Sequence, residues 1–297
     1  MSLSPHRWRS PLLGSLGEVG LPAGRLQYFR RGAGPTLVFA HGWLANANLW
    51  RTVVDALADR FRCITLDLPF GSHRLPFPAD ADLAAASCGR LIADALAALE
   101  LDAVTLVGND SGGAYSQIAA AGSPERISGL VLNSCETPYD AFPPPPFEGL
   151  PGAAATPERL GALLGALRDR AVRCSPAAYG WLVKHPLTDE VSDAYVLPCL
   201  EDAAILRDTA KVMAGASTAA VHAAGARLIE HGRLPVLFAW SPEDRVFPIA
   251  HAERYAAALA DGRVVRVDDA YSFTPEDQPG PLAAAIAAFA GRGLPSP

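Results

Sequence analysis

Residues 104–114 read Val-Thr-Leu-Val-Gly-Asn-Asp-Ser-Gly-Gly-Ala, an apolar strand-like run, a glycine-rich turn and the start of a helix. Glycines at Gly108 and Gly112 leave room for a strained residue between them, the arrangement of a nucleophile elbow, and that residue is Asp110. A carboxylate is already nucleophilic at neutral pH, whereas a serine needs a base before it can attack. At a helix N-terminus, backbone N–H groups and the helix dipole favour its ionised form. Two other readings compete: an aspartate that simply caps the helix, and a glycine loop that cradles phosphate. The second lacks the lysine and the spacing of a P-loop. Ser111 as nucleophile is disfavoured, because asparagine rather than glycine stands two residues before it.

Four further motifs accompany the elbow. His41-Gly42-Trp43 follows the apolar run 36–40, and Leu66-Asp67-Leu68-Pro69 follows the run 63–66. The segment 239–248, Ala-Trp-Ser-Pro-Glu-Asp-Arg-Val-Phe-Pro, sets Asp244 in a loop after another apolar run. The tail segment 269–279 carries Tyr271-Ser272-Phe273 ahead of Pro275-Glu276-Asp277. In this order and context the five motifs resemble the α/β-hydrolase superfamily over nearly the whole chain. An aspartate at the elbow is similar to the branch of haloalkane dehalogenases, fluoroacetate dehalogenases and epoxide hydrolases.

The resemblance implies a role for each matched position. The backbone N–H groups of Ser111 and Trp43 would form an oxyanion hole, and His41 would orient its loop. Asp244 falls at the acid position, although Pro242-Glu243-Asp244 is also ordinary turn chemistry. The family's base histidine, which precedes a phenylalanine, is Ser272 here; a shift by one residue offers Tyr271, and no register offers an imidazole. His73 and His185 are stand-ins for the base, though each reads equally as a packing or surface residue, and His251 is the nearest histidine in sequence after Asp244. The subfamilies also fit imperfectly. Haloalkane dehalogenases follow the nucleophile with tryptophan and fluoroacetate dehalogenases with arginine, where this chain has Ser111. Tyr179 and Tyr195 are candidates for the lid tyrosines of epoxide hydrolases, with Tyr139 near the hinge and Trp181 a candidate substrate wall.

The expected function is a hydrolase of the dehalogenase or epoxide hydrolase type, acting through Asp110 on a small, largely apolar molecule. Without an imidazole, Asp110 and Asp244 would repel, leaving a protonated acid beside an ionised base. That pair could instead run a cofactor-free lyase, isomerase or cyclase reaction, unless Arg245 neutralises Asp244. A non-catalytic ligand-binding protein is the reading from another class.

Alternating strands and helices must position these residues. Apolar and β-branched runs predict strands at 26–31, 36–40, 63–66, 104–108, 130–133, 236–240 and 264–267. Helical spacing covers 48–60, 81–100, 111–121, 251–260 and 281–290. Such alternation means a mostly parallel sheet with helices on both faces. It is interrupted between 136 and 232, where prolines 143–146 read as a stiff hinge and Thr156-Pro157 starts a helix carrying Leu160, Leu163, Leu164 and Leu167. Further helices are expected at 176–184, 199–214 and 218–231, giving a helical cap (136–232) inserted into a core formed by 1–135 and 233–297.

Composition bounds the rest. The 297 residues are 50% hydrophobic and 19% charged, a globular balance. A net charge of −6 without a basic cluster argues against nucleic acid. The five cysteines are scattered with no CxxC pair, so neither a zinc site nor a redox motif is expected. Pro5, Arg7, Arg9 and Pro11 interrupt the N-terminal stretch that a secretory signal would need, and no run of about 18 apolar residues offers a membrane span. The expectation is a cytoplasmic enzyme with a small-molecule substrate, no cofactor and no metal; nothing in the sequence specifies an oligomeric state.

Overall fold

The computed structural model describes residues 8–291. Pro5 and Arg7 of the N-terminal stretch lie outside the described residues.

Eight strands form one sheet: β1 Ser15–Leu21, β2 Gly24–Arg31, β3 Thr36–Ala40, β4 Arg62–Asp67, β5 Val104–Asn109, β6 Ile127–Asn133, β7 Val236–Trp240 and β8 Gly262–Arg266. Their order is β1-β2-β4-β3-β5-β6-β7-β8. The first two pairings are antiparallel, and β4 through β8 are parallel. Every residue of β5 and β7 is buried, as expected where helices cover both faces. At the edges β1 and β8 are half exposed.

Helices α1 Arg51–Leu57, α2 Ala85–Ala98 and α3 Ser111–Gly122 connect the first strands. Between β6 and β7 come α4 Leu150–Ala153, α5 Pro157–Leu164, α6 Arg170–Arg173, α7 Asp189–Glu201, α8 Ala203–Ala214 and α9 Thr218–His231. The chain then adds α10 Ile249–Ala258, α11 Thr274–Asp277 and α12 Pro279–Ala290. Helix α2 packs on α3 and α3 on α9, while α1 packs on α12. This is the mostly parallel, doubly covered sheet that the alternation predicts.

Local departures have identifiable causes. The sequence pattern passes over β1, whose Gly17, Glu18 and Gly20 dilute any alternation; it forms because all seven residues pair with β2. The stretch 48–60 opens as a tight turn of 3₁₀ helix at Ala47–Trp50, capped by Asn46, before α1 begins. Residues 176–184 are not a helix but a series of turns. Pro176 offers no N–H, and the Leu182 carbonyl accepts from Phe273 N at 2.7 Å instead of from a following helical turn. The helix expected over 199–214 is two, because Asp202 is extended and its side chain caps α8 by accepting from Ala204 N and Ile205 N. In the stripe around α5, Leu160, Leu164 and Leu167 are buried while Leu163 is exposed.

Candidate active site

Asp110 links β5 directly to α3 with φ 53° and ψ −142°, a left-handed backbone that an aspartate adopts only when its surroundings enforce it. They do so from both sides. Its N–H donates to Ser134 O at 2.9 Å, and its carbonyl accepts from Gly113 N at 2.7 Å. The side chain makes no capping hydrogen bond to α3, so simple N-capping does not explain the residue. The loop after β3 passes so near that a Cβ on Gly42 would lie 2.1 Å from Asp110 Oδ2. The next residue, Trp43, donates its N–H to Ser111 Oγ at 2.8 Å, joining loop and elbow.

His41 anchors that loop. Leu68 N donates to His41 Nε2 at 2.9 Å, which leaves the proton on Nδ1, 2.9 Å from the Gly42 carbonyl. The ring is fully buried, and burial lowers its pKa to about 4, so it is neutral. The Trp43 indole donates to Thr209 O of α8 at 3.2 Å.

A cavity of ≈ 80 Å³ opens beside Asp110, room for on the order of half a dozen water-sized groups. Trp43, Ser111, Tyr179 and Glu136 border it with Asp110, and the remaining wall is Leu, Phe, Pro, Ala and Met, including Phe142, Leu164, Leu182 and Met213. No Lys, Arg or His is among the described residues that line it. Burial in this apolar setting pushes the Asp110 carboxyl up to about 7; the nearby amides of Ser111 and Trp43 oppose the rise, and the charge of Asp244 adds to it.

Asp244 and Ser272 meet. The Ser272 hydroxyl donates to Asp244 Oδ1 at 2.8 Å, and the same oxygen accepts from Val246 N and Phe247 N at 2.8 and 2.9 Å. Burial raises the Asp244 carboxyl despite these donors. Its other oxygen, Oδ2, is buried without a hydrogen-bond partner, as are Ser134 Oγ and Asn109 Oδ1. Two asparagines at the strand ends hold the Ser272 segment against the sheet. Asn109 Nδ2 donates to Ser272 O at 2.8 Å and to Asn133 Oδ1 at 2.9 Å, while Asn133 Nδ2 donates to Ala239 O at 2.6 Å.

Of the other candidate site residues, Tyr271, Trp181, Tyr195 and the histidines do not line the cavity. Tyr271 lies under the Arg245 guanidinium, 4.4 Å from its ring centre, which occupies Arg245 otherwise than in neutralising Asp244. Tyr179 does reach the cavity, yet its hydroxyl donates to Leu44 O at 2.7 Å. Trp181 is half-buried against the core, and the Tyr195 hydroxyl is tied to Glu276 Oε1 at 2.5 Å. His73 sits 3.3 Å from buried Asp208, His185 is exposed 3.1 Å from Asp269, and His251 pairs with Asp140 at 2.7 Å. Each of these histidines has its own carboxylate partner away from the cavity wall.

Sequence reasoning missed Glu136. It follows β6, is 1% exposed, and reaches the same cavity as Asp110. Gln117 Nε2 donates to its carbonyl at 2.7 Å, and its Oε2 is buried without a partner. Burial, together with the charges of Asp110 and Asp140, holds its carboxyl well above the usual range. Its signal was positional: an acidic residue just beyond the end of a buried parallel strand, where such sheets gather their ligand-binding groups.

The chain matches the model of the alpha/beta hydrolase fold family over residues 35–279. Haloalkane dehalogenase 2 of Mycobacterium tuberculosis is 30% identical over 274 residues, which span 89% of this chain and 90% of that protein. A solved haloalkane dehalogenase from Bradyrhizobium elkani superposes with a TM-score of 0.77 at 21% identity, covering 93% of this chain and 97% of that one. An α/β hydrolase fold protein from Burkholderia ambifaria gives 0.73 at 24% identity, with 93% and 97% covered. A family match across most of the chain agrees with the sheet order and with the strained turn at Asp110, and the chain belongs to the α/β-hydrolase fold family.

Proposed function

We propose that this chain is a hydrolase of the dehalogenase or epoxide hydrolase type. Asp110 attacks an electrophilic carbon of a small, uncharged, largely apolar molecule, forming an ester that water then cleaves. The observation that carries the reading is Asp110 itself, at a strained strand-to-helix turn on the wall of an apolar cavity. Among the described lining residues there is no cation to balance a substrate carboxylate, which argues against fluoroacetate-like anions. The Ser111 amide, and the Trp43 amide once it turns from Ser111 Oγ, supply the oxyanion donors when the ester is cleaved. In this reading residues 136–232 act as the cap over a core of 1–135 and 233–297. Asp244, held by Ser272, sets the field behind Asp110, while His41 and Tyr271 brace loops. Tyr179 is cavity wall, and Trp181 supports the cap without touching substrate.

A second reading is favoured by the raised carboxyls of Asp110 and Asp244. In it the pair shares a proton and catalyses a lyase, isomerase or cyclase reaction without an ester. Intact-mass measurement with a panel of epoxides, alkyl bromides and activated esters distinguishes the two. The first reading predicts turnover or an adduct that maps to Asp110 and disappears in Asp110→Asn. Turnover to a product that has taken up no water, without any adduct, supports the second. Binding with neither, unaffected by Asp110→Asn, identifies a ligand-binding protein.

A further inference from the structure

We infer that Glu136 is a second catalytic residue of this cavity, protonating the oxygen of an opening epoxide and then deprotonating the water that frees the product from Asp110. The inference rests on Asp110 as nucleophile. Three observations support it. Glu136 and Asp110 are the two carboxyls among the described residues of a mostly apolar wall. Glu136 Oε2 is buried without a hydrogen-bond partner, and the one donor acting on the carboxyl is its own backbone amide. No described histidine reaches the cavity, which leaves the proton-transfer role open.

Electrostatics assigns the protons. Two carboxylates cannot both stay charged in so apolar a space, so one is held neutral. Glu136 faces Asp110 from the elbow and Asp140 from the turn that follows β6, and Asp140 is itself paired with His251. The resting pair is therefore Asp110 carboxylate and Glu136 carboxylic acid, with a single negative charge.

Each step then balances. An Asp110 oxygen forms a bond to a ring carbon, the carbon–oxygen bond breaks with its electron pair on oxygen, and that oxygen takes the Glu136 proton. The negative charge has moved from Asp110, now an ester, to Glu136, now a carboxylate. Glu136 next takes a proton from water as the water oxygen bonds to the ester carbonyl carbon. Collapse of that intermediate expels the diol oxygen, which recovers the proton from Glu136. Asp110, left as the carboxylic acid, passes its proton to the Glu136 carboxylate; epoxide plus water has become diol, and both carboxyls are restored.

Alkyl halides behave differently under this scheme. Halide leaves without a proton, so Glu136 stays neutral, no base is generated, and the ester persists. The Trp43 indole, already committed to Thr209, offers the departing halide no donor either.

The test uses the full chain with 1,2-epoxyhexane and 1-bromohexane, followed by diol yield and intact mass. The expected wild-type result is catalytic diol from the epoxide and a stoichiometric hexyl adduct on Asp110 from the bromide. Glu136→Gln should lower diol formation about 10²-fold or more while keeping the hexyl adduct, which also shows that the variant is folded. Diol at the wild-type rate from Glu136→Gln, with the adduct retained, overturns the role of Glu136 and leaves Asp110 standing. Loss of both reactions in Glu136→Gln would make Glu136 a structural support and also overturn it. Reaction of the wild type with neither compound removes the Asp110 reading and this one with it.

Discussion

A carboxyl held against apolar side chains serves reaction at the expense of the fold. Asp110 is pushed up to about 7 by burial, with the amides of Ser111 and Trp43 only partly offsetting it, whereas an unfolded aspartate titrates near 4. Between those values the folded chain holds a proton that the unfolded chain has released. The stability linked to this group is complete below about pH 4 and is lost as pH rises through about 7. Asp110→Asn should therefore melt above the wild type at pH 8, by a margin on the order of 4 kcal/mol at most, and the margin should vanish toward pH 4. Thermal unfolding of both proteins across that range is the check, and a margin independent of pH contradicts it. With Asp110 as the proposed nucleophile, the same ionisation would set reactivity, and kcat/KM for an epoxide should rise with pH through about 7.

At the level of elements, the strands and the elbow were legible because a buried parallel strand is a continuous apolar run and an elbow needs small residues around one polar one. Asp110 stands out from local pattern, whereas Trp43 and Ser111 are singled out only through the family resemblance, and all three border the cavity. Glu136 is singled out by neither, since it lies in the loop just beyond β6 and becomes part of the cavity only through tertiary folding. Asn109 and Asn133 were passed over for a similar reason: their value is a ladder between β5, β6 and the Ser272 segment that no single stretch reveals. The turns at 176–184 look helical in isolation and are shaped instead by Asp277, which accepts from Lys184 N and His185 N at 2.9 Å each. Gly42 tests how finely the elements must meet. In Gly42→Ala the new Cβ would fall 2.1 Å from Asp110 Oδ2, so the loop or the carboxylate must move. Displacement of a reacting group by about 1 Å costs roughly 10²-fold in rate. A rate loss of that size with secondary structure retained in circular dichroism is expected; unchanged kinetics would show that the loop yields freely.

Across the whole molecule, charged clasps join the helices between β6 and β7 to the sheet and its loops. Arg51 of α1 holds Glu276 through two hydrogen bonds of 2.6 and 2.8 Å, and Glu276 also accepts from Tyr195 of α7. Asp208 of α8 accepts from Phe77 N at 2.7 Å and from Arg207. A buried Arg9–Asp67 pair at 2.6 Å fixes the first described segment beneath the same loops. The same fold encloses a mostly apolar cavity that the 50% hydrophobic composition could suggest but not locate. Asp110 opens onto this cavity, and the proposed step there is covalent attachment of its carboxylate to substrate. The most direct measurement is a single turnover of 1,2-epoxyhexane in water enriched in oxygen-18, followed by mass analysis of the peptide containing Asp110. Cleavage of an Asp110 ester by water predicts one heavy oxygen in that peptide and none in the first diol released. Heavy oxygen in the diol, with Asp110 unlabelled, would mean that water attacks the substrate directly and would contradict the claim.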